Sequence, residues 1–157
     1  MKRLICFCML LASLLLGALL IVPPKTSAIT YGFVDSNNTF RNTGAFIVKS
    51  SSTGQIFPIC SGTMITANVF LTASHCTAYF EQELAPEGYT AYVSLDQSIP
   101  FGSLTSNKTT LLAVAHVVTN PNYNASQSDS ADIGVLILQR DARVTPATLP
   151  ASGLLDQ

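Results

Sequence analysis

Two places in this 157-residue chain put residues capable of acid–base or thiol chemistry beside ordered apolar runs. The first is Cys60-Ser61-Gly62-Thr63-Met64-Ile65, a polar break at Thr66-Ala67-Asn68, then Val69-Phe70-Leu71-Thr72-Ala73-Ser74-His75-Cys76. An imidazole can take up and return a proton near neutral pH, and paired cysteines can form a disulfide or ligate a metal. The second place is Asp132, which stands at the mouth of Ile133-Gly134-Val135-Leu136-Ile137-Leu138. A carboxylate there can orient a catalytic imidazole, yet an aspartate before a buried strand is also an ordinary turn or edge residue. Spacing alone leaves Cys60 and Cys76 equally open to a plain structural role.

The elements that must carry these residues read as short strands. The two apolar runs between the cysteines predict two strands joined by a turn, with His75 delivered where the second strand ends. Further runs occur at 45–48 after Asn42-Thr43-Gly44, at 55–59 after Ser50-Ser51-Ser52-Thr53-Gly54, and at 90–94, 111–118 and 133–138. Their β-branched content and regular turn signals predict an all-β sandwich or barrel. No segment has a long helical period, although residues 78–84 suit one turn after the histidine. The polar stretches 103–110 and 120–130 read as surface connections, and neither an internal repeat nor a low-complexity tract is present.

Met1-Lys2-Arg3, the apolar run 4–22, and Pro23-Pro24-Lys25-Thr26-Ser27-Ala28 have the form of a secretory signal. The alternative is an uncleaved anchor, because the run approaches the roughly 20 residues that span a bilayer. Cleavage after Ala28 leaves residues 29–157 as one small domain beginning at Ile29. Lys2, Arg3 and Lys25 then depart, leaving five basic residues against nine acidic. That balance offers nothing to nucleic acid or to an anionic membrane surface. Cys6 and Cys8 depart too, so a Cys60–Cys76 disulfide is the economical expectation in an exported, oxidising setting. Sequons at Asn37, Asn107 and Asn124 carry no functional argument, since a Ser/Thr/Asn-rich chain contains some by chance.

The residues 60–65 followed by 69–76 resemble the segment around the catalytic histidine of trypsin-like serine peptidases. Ser61-Gly62 stands where two glycines are usual, and Ser74 where alanine is usual. Asp132-Ile133-Gly134-Val135-Leu136 is similar to the Asp-Ile-Ala-Leu-Leu segment that carries the family's catalytic aspartate, with Gly134 for alanine. Asp129 is a nearby competitor without a following apolar strand. Asn120-Pro121-Asn122-Tyr123-Asn124 looks like the family's His-Pro-x-Tyr-Asn loop, which leaves His116 as a strand residue. The resemblance implies the first of two six-stranded antiparallel Greek-key barrels, and Ile29 as the activating N-terminus, although Thr30-Tyr31-Gly32 departs from the usual Val-Gly-Gly.

What the resemblance implies for chemistry is peptide-bond hydrolysis by a Ser-His-Asp triad, in the chain order histidine, aspartate, serine. A neutral imidazole removes the serine proton during attack, and the aspartate fixes its tautomer and stabilises the imidazolium. His75 and Asp132 fill the first two places. No Gly-Asp-Ser-Gly-Gly segment follows Asp132, and Ser152 sits in a stretch like the connection leaving the first barrel. The expectation is therefore a secreted endopeptidase domain, incomplete within these 157 residues and inactive by itself. It would act on polypeptide substrates, need the missing C-terminal barrel as partner, and have no membrane contact after signal cleavage. No cofactor or metal is implied; a metal site from His75, His116 and the cysteines lacks the close ligand spacing of zinc motifs. The alternative is a secreted, non-catalytic binding module built on the same barrel.

Overall fold

Residues 42–72 show why strands dominate. Phe46, Ile47, Val48, Ile56, Phe57, Val69 and Phe70 are β-favouring residues set between turn-forming Asn, Gly and Ser positions, and they fit a pleated, half-buried surface better than a helix. The computed structural model describes residues 35–97, 109–125 and 131–154, all within the compact unit Asp35–Gln157. Among them are six strands: β1 (Thr43–Ser50), β2 (Ile56–Met64), β3 (Val69–Thr72), β4 (Tyr89–Ser94), β5 (Leu112–Val118) and β6 (Gly134–Leu138). A short helix, α1 (Ser74–Tyr79), runs directly into a π-helical turn at Phe80–Leu84.

Every strand pairing is antiparallel, and the order β1-β2-β3-β6-β5-β4 closes on itself where β4 returns to β1. The fold is thus all-β, a closed six-stranded barrel, as the sequence predicts. Alternation supplies the inside: in β6 Gly134, Leu136 and Leu138 are buried, in β3 Phe70 and Thr72, in β4 Ala91 and Val93. Phe46, Met64 and Phe70 are fully buried, and Phe80 from the π turn packs on Phe46 with ring centroids 5.7 Å apart. A smaller cluster joins Ile47 and Ile56, with Ala45, Tyr92 and Leu111 against it.

Two local expectations differ from what forms. The run 55–59 and the first of the two strands expected after Cys60 fall largely within one strand, β2, whose pairing with β1 slips by one residue: Phe46 faces Cys60, but Ile47 faces Pro58. A proline cannot give a ladder hydrogen bond, and a bulge beside it keeps the strand continuous. The helical turn also begins earlier than residue 78. Ala73 is extended, and its carbonyl accepts the amides of Cys76 and Thr77 at 3.2 and 3.3 Å, so the chain bends into α1 at once. His75 therefore stands in the first turn of a helix, not at a strand end.

Gly62 is required where β2 and β3 meet. A Cβ at that position would lie 2.2 Å from the Leu71 carbonyl oxygen and 2.4 Å from the Phe70 ring. The close approach holds β3, and the Thr72 hydroxyl reinforces it by donating to the Ser61 carbonyl at 2.9 Å. The Cys60–Cys76 disulfide then ties β2 to α1. Among the described residues no helix is long and apolar enough to cross a membrane. The signal-like run 1–28, Ile29, Asn107 and Asp129 lie outside the described residues.

Because Phe70 is fully buried at the wall behind the histidine, Phe70→Ala removes its packing and leaves a cavity. Such truncations cost about 3–5 kcal/mol. The expected outcome is a matching fall in the urea unfolding free energy of the disulfide-intact chain; a loss below about 1 kcal/mol would contradict this account of the core.

Candidate active site

β3 and β6 are neighbours, with Thr72 opposite Gly134 and Leu71 opposite Val135. Antiparallel pairing brings the exit of β3 and the entry of β6 to one rim of the barrel. His75 is three residues beyond that exit and Asp132 two residues before that entry, so residues distant in sequence become neighbours. Both oxygens of Asp132 are used on His75: Oδ1 accepts the backbone amide at 2.8 Å, and Oδ2 lies 2.8 Å from the ring Nδ1.

The hydrogen bond from the His75 ring, then that from its amide, hold the Asp132 carboxyl below its ordinary value of 3.8, against a smaller opposing effect of burial. Near neutral pH the carboxylate is ionised and can only accept, so Nδ1 must be the protonated ring nitrogen. In the neutral imidazole, Nε2 then carries the lone pair. The side chains are 59% and 32% exposed. A contact this accessible contributes little to stability, so its consequence lies in the fixed tautomer and ring direction.

The surroundings lock the aspartate segment from behind. Ser74 is fully buried; its hydroxyl donates to the Ile133 carbonyl at 2.8 Å and accepts the Asn120 amide at 2.9 Å. The Thr77 hydroxyl bonds the Ser74 carbonyl at 3.1 Å, and Thr119 Oγ1 lies 2.7 Å from both Thr77 Oγ1 and Glu81 Oε2. Asn120 also organises its own loop, its side-chain oxygen accepting the Asn122 amide at 3.0 Å and its carbonyl the Tyr123 amide at 3.0 Å. An open groove of about 450 Å³ adjoins the imidazole, with Tyr79, Glu83 and Tyr123 in its lining.

These positions fit one known pattern, and a family model for trypsin matches residues 33–155. The chain belongs to the trypsin family. In this trypsin-family barrel two of the departures from the family's motifs, Ser74 and Gly134, have structural work. Ser74 supplies the buried hydroxyl just described. Gly134 makes room for Thr77: a Cβ there would lie 2.8 Å from Thr77 Oγ1 and 3.0 Å from the Ala73 carbonyl oxygen. Nothing in residue size alone marks Ser74 as a bridge, because its partners are backbone groups of distant segments.

Of the other residues singled out in the sequence, Cys60 and Cys76 are joined in the disulfide. Their sulfurs and a His75 nitrogen lie within 4.8 Å of one another, but sulfurs in a disulfide are not thiolate ligands, so the cluster offers a metal only one good donor. His116 is an exposed residue of β5. Ser152 lies in an exposed turn closed by the Leu154 amide on the Ala151 carbonyl at 3.1 Å. Among the described residues no serine hydroxyl is hydrogen-bonded to the His75 ring.

The lowered Asp132 fixes a pH dependence. A carboxyl depressed in the folded state adds stability above its unfolded value, and that stability is lost as pH falls through the folded value. Asp35, held low first by the Thr39 amide and then by that of Phe40, acts in the same sense. The urea midpoint is therefore expected to drop below about pH 4, with a shallower drop in Asp132→Asn. Identical acid limbs in the two proteins would show that the carboxylate is not held by His75.

Proposed function

We propose that this chain is part of a secreted serine endopeptidase, in which His75 is the general base and Asp132 the residue that orients it. The observation that carries this reading is the double engagement of Asp132 with the His75 amide and Nδ1, each at 2.8 Å. That arrangement aims the basic Nε2 outward, where a serine hydroxyl can meet it. As the serine oxygen attacks a peptide carbonyl, Nε2 takes its proton; the proton then passes to the leaving amine as the acyl-enzyme forms. Water repeats the sequence to release the acid. Asp132 remains ionised and stabilises the imidazolium at each stage.

No Gly-x-Ser-Gly segment occurs among the 157 residues. In this reading the nucleophile, the oxyanion amides and the specificity pocket belong to a second barrel, and residues 29–157 are inactive without it. Ile133, beside Asp132, is 55% exposed, and Leu149 after β6 is 59% exposed; apolar side chains of this size suit an interface. The basic start, the apolar run and the small residues ending at Ala28 support export, as does the disulfide. Cleavage there frees the Ile29 amine, the group expected to insert into the second barrel. A secreted binding module is the competing reading, although binding alone gives no chemical reason for the His75–Asp132 geometry.

Two outcomes test this. The chain, treated with a serine-directed phosphonate and weighed intact, is expected to gain no adduct; stoichiometric labelling of one serine would place the nucleophile within these residues. Joined to the second barrel of a trypsin-family enzyme, the chain is expected to hydrolyse a peptide ester, with turnover falling roughly 10⁴-fold in Asp132→Asn. A folded fusion with no turnover, or one indifferent to Asp132→Asn, would favour the binding module.

A further inference from the structure

We propose that Ser74 is a positioning residue: its hydroxyl clamps the Asp132 segment and the 120–125 loop to α1, and so holds the His75–Asp132 hydrogen bond in register. The inference rests on the reading of His75 and Asp132 as the base and its orienting group. Its structural basis is separate, because Ser74 touches neither ring nor carboxylate with its hydroxyl. The Ser74 side chain is fully buried at the meeting of three segments: the first turn of α1, the stretch leaving β5, and the stretch entering β6. Its one proton goes to the Ile133 carbonyl at 2.8 Å, and its oxygen receives the Asn120 amide at 2.9 Å.

Both bonds restrain functional neighbours. Ile133 directly follows Asp132, and its amide closes a tight turn on the Ala131 carbonyl at 2.7 Å. With the Ile133 carbonyl fixed by Ser74, the backbone carrying the Asp132 carboxylate is held on one side by this turn and on the other by the clamp. Ser74 also immediately precedes His75, so the same residue fixes the backbone on both sides of the His75–Asp132 contact. Asn120 begins the turn that presents Tyr123 to the groove beside the imidazole, so the clamp extends to a substrate-facing wall. Alanine at position 74 would leave the part-buried Ile133 carbonyl and Asn120 amide without this partner, and the segment must shift to find others.

The test is nitrogen and proton NMR of the full chain with its disulfide formed, reading the His75 ring directly. In the wild type, the Nδ1 proton is expected as a slowly exchanging hydrogen-bonded signal with the Nδ1–H tautomer dominant. Asp132→Asn should abolish that signal; if it does not, the His75–Asp132 reading itself fails, whatever Ser74 does. Where Asp132→Asn does abolish it, Ser74→Ala decides the inference. The expected result is Nδ1–H exchange about tenfold faster and a mixed tautomer population, with the barrel's amide spectrum retained. An unchanged Nδ1–H signal in a folded Ser74→Ala protein would overturn the proposal, since loss of stability alone does not alter ring tautomer. Should Ser74→Ala not fold, the wild-type Asn120 amide decides: protection at least about tenfold above the unstructured rate supports the clamp, and exchange at the unstructured rate refutes it.

Discussion

A carboxylate has two oxygens, and at Asp132 both engage His75, with the Ser74 amide a lesser influence. Oδ1 takes the His75 amide and Oδ2 faces its ring nitrogen, so the aspartate fixes the backbone and the side chain of His75 together. A single contact to the ring would permit rotation about the bond between carboxylate and imidazole. The second contact removes that freedom without requiring burial, which explains how an imidazole 59% exposed can still have a defined direction. The rest of the barrel is arranged to make the double contact possible. β3 must pair with β6, α1 must begin immediately after Ala73, and the loop before β6 must turn tightly enough to present Asp132 at the rim.

Much of this was legible in the sequence because strands advertise themselves through period and punctuation. β4, β5 and β6 fall within two residues of where the apolar runs place them, and the disulfide joins the expected pair, Cys60 and Cys76. The juxtaposition of His75 and Asp132 came through family resemblance, since neither spacing nor composition says that β3 lies beside β6. The continuous β2 was not legible: the run 55–59 and the strand after Cys60 read as separate pieces, and the bulge opposite Pro58 is what lets one ladder pass through both. The early start of α1 was hidden for a similar reason. Thr72-Ala73-Ser74 has no strong helix signal, and Ala73 caps the helix through its backbone, with no side-chain bond.

The substitutions relative to the family pattern are instructive because size was a poor guide to their role. Ser74 replaces alanine with one extra oxygen, and that oxygen joins segments whose proximity exists only in the fold. Gly134 replaces alanine with one carbon fewer, and the vacated volume is what admits the Thr77 side chain against β6. Thr77 in turn bonds the Ser74 carbonyl and meets Thr119. The small residue and the added hydroxyls therefore form one packed polar seam beneath the histidine, whose members depend on one another more than on their individual identities.

Placing the aspartate before the last strand gives the barrel a temporal property. During synthesis β1, β2, β3 and α1 leave the ribosome before β6, so while the 57 residues from His75 to Asp132 are made the imidazole is without the group that sets its tautomer. β3–β6 pairing is among the most distant in sequence and closes late, after shorter hairpins have formed. The oriented imidazole consequently arises only in a chain whose barrel has closed. Nascent or half-folded copies lack the aligned imidazole.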